Sequence, residues 1–243
     1  MITPPLGNLV GGTGQLQSSE GDAMTARSSD HLPRLPESAR VEAFSDGVLA
    51  IAVTLLVLDL HSDFHPGDFA HQLGAQWPSY VAYLAAFLNV SAIWINHHDL
   101  FTRIRGVDAG LLSLNLVLLL VASLFPWPAA VISSALLDGD AHDQIAAALL
   151  YASIGFMVPL TFIAVHSYLL RAPHLFTDPI HVAYSRVSRR RALLSIVVYP
   201  LTALLVFVSV DVALGLFIAV PLFFIAAVFF QQRAEHNVAA QPG

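Results

Sequence analysis

The chain of 243 residues has no cysteine and no lysine, and charge of either sign is scarce. Without cysteine there can be no disulfide framework, thiolate metal site or thiol nucleophile. Without lysine, all 11 basic residues are arginine. Charged residues make up 12% of the chain and hydrophobic residues 56%, whereas an ordinary soluble domain carries about 25% charge. That balance excludes a typical soluble globular domain. Several apolar runs approach the roughly 20 residues that a helix needs to cross a bilayer. The composition therefore predicts an all-α membrane protein, built as one compact helical domain.

Residues 1–39 are rich in Gly, Ser, Pro and Thr and lack a continuous apolar stretch. They read as a disordered cytosolic N-terminal tail, since a signal peptide needs a basic start followed by an apolar core. Gly11, Gly12 and Gly14 follow no strand and open no helix, so flexibility and not phosphate binding is expected of them. The membrane domain is expected over residues 40–232, with a short cytosolic C-terminal tail over residues 233–243.

Six apolar segments stand out, at residues 41–60, 77–96, 109–127, 144–170, 192–210 and 212–230. Pro159 predicts a kink in the fourth. Asp211 divides the last two, which together are too long for one crossing. In a six-span arrangement, Arg27, Arg34, Arg40, Arg103, Arg105, Arg171, Arg186, Arg189, Arg190, Arg191 and Arg233 all fall on one side. Five or seven spans would scatter them. The positive-inside rule then puts both termini in the cytoplasm of a protein expected in the cell membrane. The opposite face carries Asp59, Asp63, Asp68, Asp138, Asp140, Asp143 and Asp211. These acids either suit solvent loops or form an acidic mouth that concentrates cations.

The first segment, AFSDGVLAIAVTLLVLDL, places a carboxylate at the head of an apolar run. At about 100° per residue, Ile51, Leu55 and Leu58 share one face, with Phe44, Gly47 and Thr54 within about 60° of it. Asp46 lies about 140° from Ile51 by the same arithmetic, on a strip continued by Ala50, Val53 and Val57. It is expected to point into the protein scaffold, because a free carboxylate at mid-helix costs about 2.5–3.5 kcal/mol. The second span closes with Asn96, His97 and His98 at the same membrane face. Asp46 can therefore meet His97 or His98 across antiparallel helices, with Arg40 in reach. The alternative is that Ser45 or Asp46 caps a helix, while the histidines sit at the lipid interface.

The stretch RVEAFSDGVLAIAVTLLVLDL resembles the first helix of the transmembrane protein 175 family, potassium channels of endosomes and lysosomes with short prokaryotic members. Its Arg-x-x-x-Phe-Ser-Asp signature is complete as Arg40, Phe44, Ser45 and Asp46. The likeness extends over roughly residues 38–232 and includes the paired histidines, although the later spans match only in pattern. The resemblance implies a potassium channel, weakly selective over sodium, formed by a homotetramer with six helices per subunit. It implies a central pore lined by the first helix, and no carbonyl filter of the Thr-Val-Gly-Tyr-Gly type, which this chain also lacks. The constriction would be a hydrophobic gate at Ile51, completed by Leu55 and Leu58, with Thr54 as a selectivity layer. Arg40, Phe44, Ser45 and Asp46, with His97 and His98, would hold the pore helix in place. No cofactor is implied beyond the permeant potassium ions.

An apolar ring is a barrier because a cation must lose water there without receiving an oxygen ligand in return. Potassium holds its water less tightly than sodium, so the expected discrimination favours potassium weakly. A proton-coupled secondary transporter using Asp46 and His98 is the alternative, but transporters place polar groups near the midplane, and the first span is apolar there. The His97-His98 pair has no second pair to complete a catalytic metal site. No catalytic constellation is present, so no enzyme is expected. Arg189, Arg190 and Arg191 are expected to anchor the fifth span at the anionic inner leaflet and not to bind nucleic acid. Asn115 is placed to bond to another helix, and the sequon at Asn89 falls inside a span, where it should be unused.

Overall fold

A computed structural model describes residues 36–60 and 66–239. Most of the expected N-terminal tail, together with Asp63, lies outside the described residues. Among those described, all regular structure is helical. The elements are α1 (Pro36–Leu55), α2 (Phe69–Ala75), α3 (Trp77–Phe101), α4 (Ala109–Ser123), α5 (Pro126–Asp138), α6 (Ala141–Arg171), α7 (His181–Val206) and α8 (Val210–Ala239). Short 3-10 turns at Leu56–Asp59 and Pro173–Leu175 follow α1 and α6. Helix α1 begins four residues inside the segment expected to be a tail, and α8 continues through most of the expected C-terminal tail.

Among the described residues, five helical segments are long and apolar enough to cross a membrane: Ser38–Leu58, Trp77–Phe101, Ala109–Asp138, Ala141–Arg171 and Val210–Arg233. The third is longer than its apolar run suggests. Pro126 and Pro128 interrupt the pattern, yet Pro126 opens α5 directly after α4. Proline is tolerated in a first helical turn, where its missing N–H has no intrahelical partner in any case. The region around residues 128–138, expected as an outer loop, is thus helical and packed, with Pro128, Ala129, Ile132 and Ser133 buried. Helix α7 contains the expected fifth segment as far as Val206. Its first half carries Arg186, Arg189, Arg190 and Arg191, which is why it is not among the five.

Polar caps fix where helices start. Asp108 accepts from the Leu111 N–H at 2.9 Å to begin α4, and the Tyr168 hydroxyl donates to its other oxygen at 2.7 Å. Asp140 and Asp143 form a reciprocal capping box at the start of α6, which accounts for two of the acids expected on that face as helix caps. At the arginine-bearing end, the loop after α3 pairs with the loop after α6: Arg105 N–H donates to Leu175 O at 2.9 Å, and Thr177 N–H to Arg103 O at 3.0 Å.

Helix α3 sits at the centre, packed against α1, α5 and α8. Its buried face holds Ala82, Ala85, Ala86, Val90 and Ile93, and side chains this small let neighbouring backbones come close. Asn89, the buried sequon residue, ties this core together. Its two amide hydrogens are shared among Ala85 O (2.9 Å), Tyr151 Oη (3.1 Å) and Phe217 O (3.2 Å), and its oxygen accepts from Tyr199 Oη (3.1 Å). Phe217 O lies one turn before Pro221, whose ring nitrogen has no hydrogen to offer it. Asn89 supplies the missing donor, so one side chain of α3 holds α6, α7 and the proline break of α8.

Candidate functional site

Helix α1 divides lengthwise. Ser45, Leu49, Ala52 and Leu56, at spacings of four, three and four, are buried against the rest of the chain. The opposite stripe is uncovered: Ile51 is 60% exposed, Leu55 44% and Leu58 74%. Arg40, Phe44, Gly47 and Thr54 lie on the same uncovered side. Only 22% of this span is buried by the rest of the chain, against 50% of α3, and no other of the five spans is so little covered. Among the described residues, a whole apolar face of the first helix has no partner.

The face turned into the scaffold is offset by about 100° from the strip that Asp46 heads. Ala50 and Val57 on that strip stay exposed. The small residues that permit close approach belong to α3, so α1 inserts leucines between them. The motif serine, and not the aspartate, enters the interior. Ser45 Oγ donates to Val41 O at 2.8 Å and accepts from Asn115 Nδ2 at 2.9 Å. Asn115 Oδ1 in turn faces His97 Nε2 at 2.9 Å. With its amide nitrogen donating to Ser45, Asn115 accepts through oxygen, so the proton of His97 is on Nε2. His97 Nδ1 is buried with no hydrogen-bond partner among the described residues, and the ring stacks on Phe101 with centroids 4.2 Å apart. One buried chain of hydrogen bonds therefore joins α1, α4 and α3.

Asp46 stands at the edge of this knot, half-buried. Its partner is the indole of Trp94, whose Nε1 donates to Oδ1 at 3.0 Å, and neither histidine takes that place. His98 Nδ1 lies 3.2 Å from Glu42 Oε1 and its ring stacks on Trp94 at 5.7 Å. Arg40 is exposed at the start of α1. Trp94 and Glu42 were absent from the residues singled out by sequence. The signal for Trp94 was its place one turn before His98, which puts an indole donor at the depth of Asp46.

A second polar cluster lies at the same end of the helices. Asp99 pairs with Arg103 at 2.5 Å and accepts from Gln232 Nε2 at 2.9 Å, while the Arg103 guanidinium lies 4.0 Å above the Tyr184 ring. These contacts lock α3 to α7 and α8.

This architecture defines a helical membrane protein whose first helix is held by buried polar contacts on one side and left bare on the other. Residues 40–126, which run from within α1 through α2, α3 and α4 to the first residue of α5, match the family of the endosomal/lysosomal potassium channel TMEM175. A Streptomyces collinus protein called a potassium channel is 43% identical over 181 residues, covering 74% of this chain and 87% of that protein. The chain belongs to the TMEM175 family. The crystal structure of a lysosomal potassium-selective channel TMEM175 homolog from Chamaesiphon minutus is similar with a TM-score of 0.68 and 27% identity, over 79% of this chain and 97% of that one. The mouse endosomal/lysosomal proton channel TMEM175 is 37% identical over 114 residues, which make up 43% of this chain and 22% of the mouse protein.

Proposed function

We propose that the protein is a potassium channel in which four subunits assemble around an axis lined by α1. The observation that carries this reading is the uncovered stripe of Ile51, Leu55 and Leu58 on a helix whose other face is fixed by Ser45, Asn115 and His97. Fourfold assembly gives that stripe a common axial space. Ile51 then forms the narrowest ring, with Leu55 and Leu58 further along the pore. Thr54 carries the only side-chain oxygen between Gly47 and Leu58 and contributes a polar layer between the apolar ones. The Streptomyces and Chamaesiphon relatives, both described as potassium channels, support the choice of ion.

In this arrangement each subunit crosses the cell membrane six times, with both termini cytoplasmic. Helix α7 supplies the sixth crossing. Its apolar part, residues 192–206, spans roughly 22 Å at 1.5 Å per residue, and the arginines before it reach back to the interface along their flexible stems. Selectivity over sodium is weak, because an apolar ring ranks cations by the cost of shedding water and offers no ligand sphere to discriminate them. Asp46 and His98 engage Trp94 and Glu42 and not each other, which gives a proton-coupled transporter no direct relay between them.

Purified protein in potassium-loaded liposomes tests the reading. A channel dissipates a potassium gradient quickly and without obligatory proton movement. Slow flux that requires a counter-moving proton would replace the channel with a transporter. Because the mouse relative is called a proton channel, the same vesicles should carry a pH dye, and acidification without potassium flux would reassign the permeant ion.

A further inference from the structure

Helices α3, α6, α7 and α8 enclose a cavity of about 60 Å³, which is room for about two waters. No residue of α1 borders it, so it is separate from the uncovered stripe. Its two ends differ in chemistry. Asn96 and His166 each stand five residues before the end of their helices, α3 and α6, and the loops that follow are hydrogen-bonded to each other. Both side chains therefore line the cavity at one depth, toward the arginine-bearing side. Asn89 and Pro159 lie seven residues deeper on the same two helices, about 10 Å away. There Asn89 is already bonded to Tyr199, and Pro159, Phe162, Pro221 and Phe224 offer only carbon.

The polar end holds a donor and an acceptor that the chain does not use. His166 is 3% exposed, and its Nδ1 lies 2.9 Å from the Oγ of Ser185, which is wholly buried. Among the described residues this is the only hydrogen bond that either side chain makes. The Ser185 hydroxyl hydrogen must therefore go to Nδ1, because it has no other acceptor, and the ring proton of His166 is on Nε2. The buried polar atoms sealed away without a partner are His97 Nδ1 and Arg189 Nε. His166 Nε2 is not one of them, so it opens into the cavity that its ring lines. Asn96 spends one amide hydrogen on Ala92 O at 2.8 Å, and its oxygen accepts from no described group. Arg191 closes this end with its guanidinium donating to Ser188 Oγ at 3.0 Å, and the recognition does not call on it.

We propose that this cavity is a binding site for a short-chain aliphatic alcohol of about ethanol's size. Its hydroxyl accepts from His166 Nε2–H and donates to Asn96 Oδ1, and its alkyl body lies against Pro159 and Phe162. One hydroxyl meets both needs at once, whereas an ammonium has no lone pair to offer and a carboxylate has no hydrogen. Water satisfies the polar end but gains nothing from the carbon walls, and an apolar group that displaces loosely held water adds affinity. Few polar groups placed in a mostly apolar hollow is the usual make-up of a small-molecule site. The site goes beyond the channel reading and does not depend on which ion crosses the protein.

The chain has no cysteine, so Ser195→Cys puts a single thiol on the cavity wall. Ser195 is 2% exposed, and its hydroxyl makes one long bond, to Arg191 O at 3.4 Å, which sulfur can replace at little cost. In the purified assembled protein this thiol should react with methyl methanethiosulfonate, a small neutral reagent, as followed by intact mass spectrometry. Ethanol should slow the reaction in a saturable way. Ethylammonium, which has the same number of heavy atoms, should need at least about fivefold more for the same effect, the factor that one neutral hydrogen bond carries. Thr102→Cys, at an exposed position, should react at one rate with and without ethanol. Adding His166→Leu to Ser195→Cys should raise the ethanol needed for half protection by about fivefold. Ala192→Leu fills the cavity and keeps both polar groups, so the remaining reaction should be indifferent to ethanol, and this variant decides the matter if His166→Leu does not fold. An unreactive Ser195→Cys thiol, a rate independent of ethanol, or equal potency of ethanol and ethylammonium overturns the proposal, as does undiminished ethanol protection in Ala192→Leu.

Discussion

The indole N–H of Trp94 meets the carboxylate of Asp46 at 3.0 Å, and the same indole stacks on His98 one turn further along α3. An acidic residue near the start of an apolar helix is thereby satisfied by a neutral donor, and the histidine beside it turns to Glu42. The bond fixes the rotation of α1 about its own axis. Ser45 on one flank and Asp46 on the other are both tied to neighbouring helices, so the stripe between them can point only away from the subunit.

Trp94→Phe removes the donor and keeps the ring that packs against His98. A hydrogen bond to a charged group contributes about 1.5–3 kcal/mol. Both partners are partly exposed, so about 1 kcal/mol is the expected loss. Asp46→Ala should cost a similar amount, and the double variant little more than either alone. Thermal stability followed by size-exclusion chromatography gives the three numbers. Additive losses would show that the two residues act independently.

Asn115→Leu cuts the buried chain at its centre. It leaves Ser45 without its donor and His97 with both ring nitrogens unpaired, each costing about 1–3 kcal/mol. The expected result is a larger loss than for Trp94→Phe, seen as reduced assembly at ordinary temperatures. Asn115→Asp keeps an acceptor for His97 and should recover part of the loss, while Leu should recover none.

Asp108 links stability to pH. The Leu111 N–H, followed by the Tyr168 hydroxyl, holds its carboxyl below the ordinary value of 3.8. A folded-state value lower than the unfolded one gives stability that is complete above the unfolded value and lost as pH falls through the folded value. Wild type should thus lose more stability than Asp108→Asn between about pH 5 and pH 2, and the two should run parallel above pH 6. Gly110→Ala should flatten the profile only in part, because a methyl group there would overlap the Tyr168 hydroxyl and displace it while the Leu111 N–H, the larger cause, stays in place.

One stripe of α1 was legible in the sequence although both of its faces are apolar. Ile51, Leu55 and Leu58 repeat at helical spacing, and the side they mark is the one the subunit leaves bare. What the sequence hid were features set by tertiary contact. Trp94 carries no mark of its role along the chain, and becomes the donor to Asp46 only when α1 lies beside it. Asn89 reads as an unused sequon, and only the fold reveals the proline-freed carbonyl at Phe217 that it satisfies. Helix α5 was obscured by Pro126 and Pro128, residues that punctuate a sequence but also suit the opening turn of a helix. Charge alone points from Asp46 to His97, His98 or Arg40, although an indole N–H at the same depth serves as well.

Ile51→Asn tests the barrier itself. If the exposed stripe is the constriction, an ion reaching Ile51 must give up part of its hydration with no oxygen to replace it, and the height of that barrier ranks potassium ahead of sodium. An asparagine at this position provides a carbonyl oxygen and permits a hydrated passage, so both ions cross more easily and sodium gains more. The expected outcome is higher total flux with a potassium-to-sodium permeability ratio that falls toward one, measured from reversal potentials in planar bilayers. Assembly should survive, since Ile51 is 60% exposed and contributes little to the subunit core, whereas the anchoring variants above act on assembly first. An intact oligomer with an unchanged permeability ratio would remove Ile51 from the ion path and move the constriction elsewhere on α1.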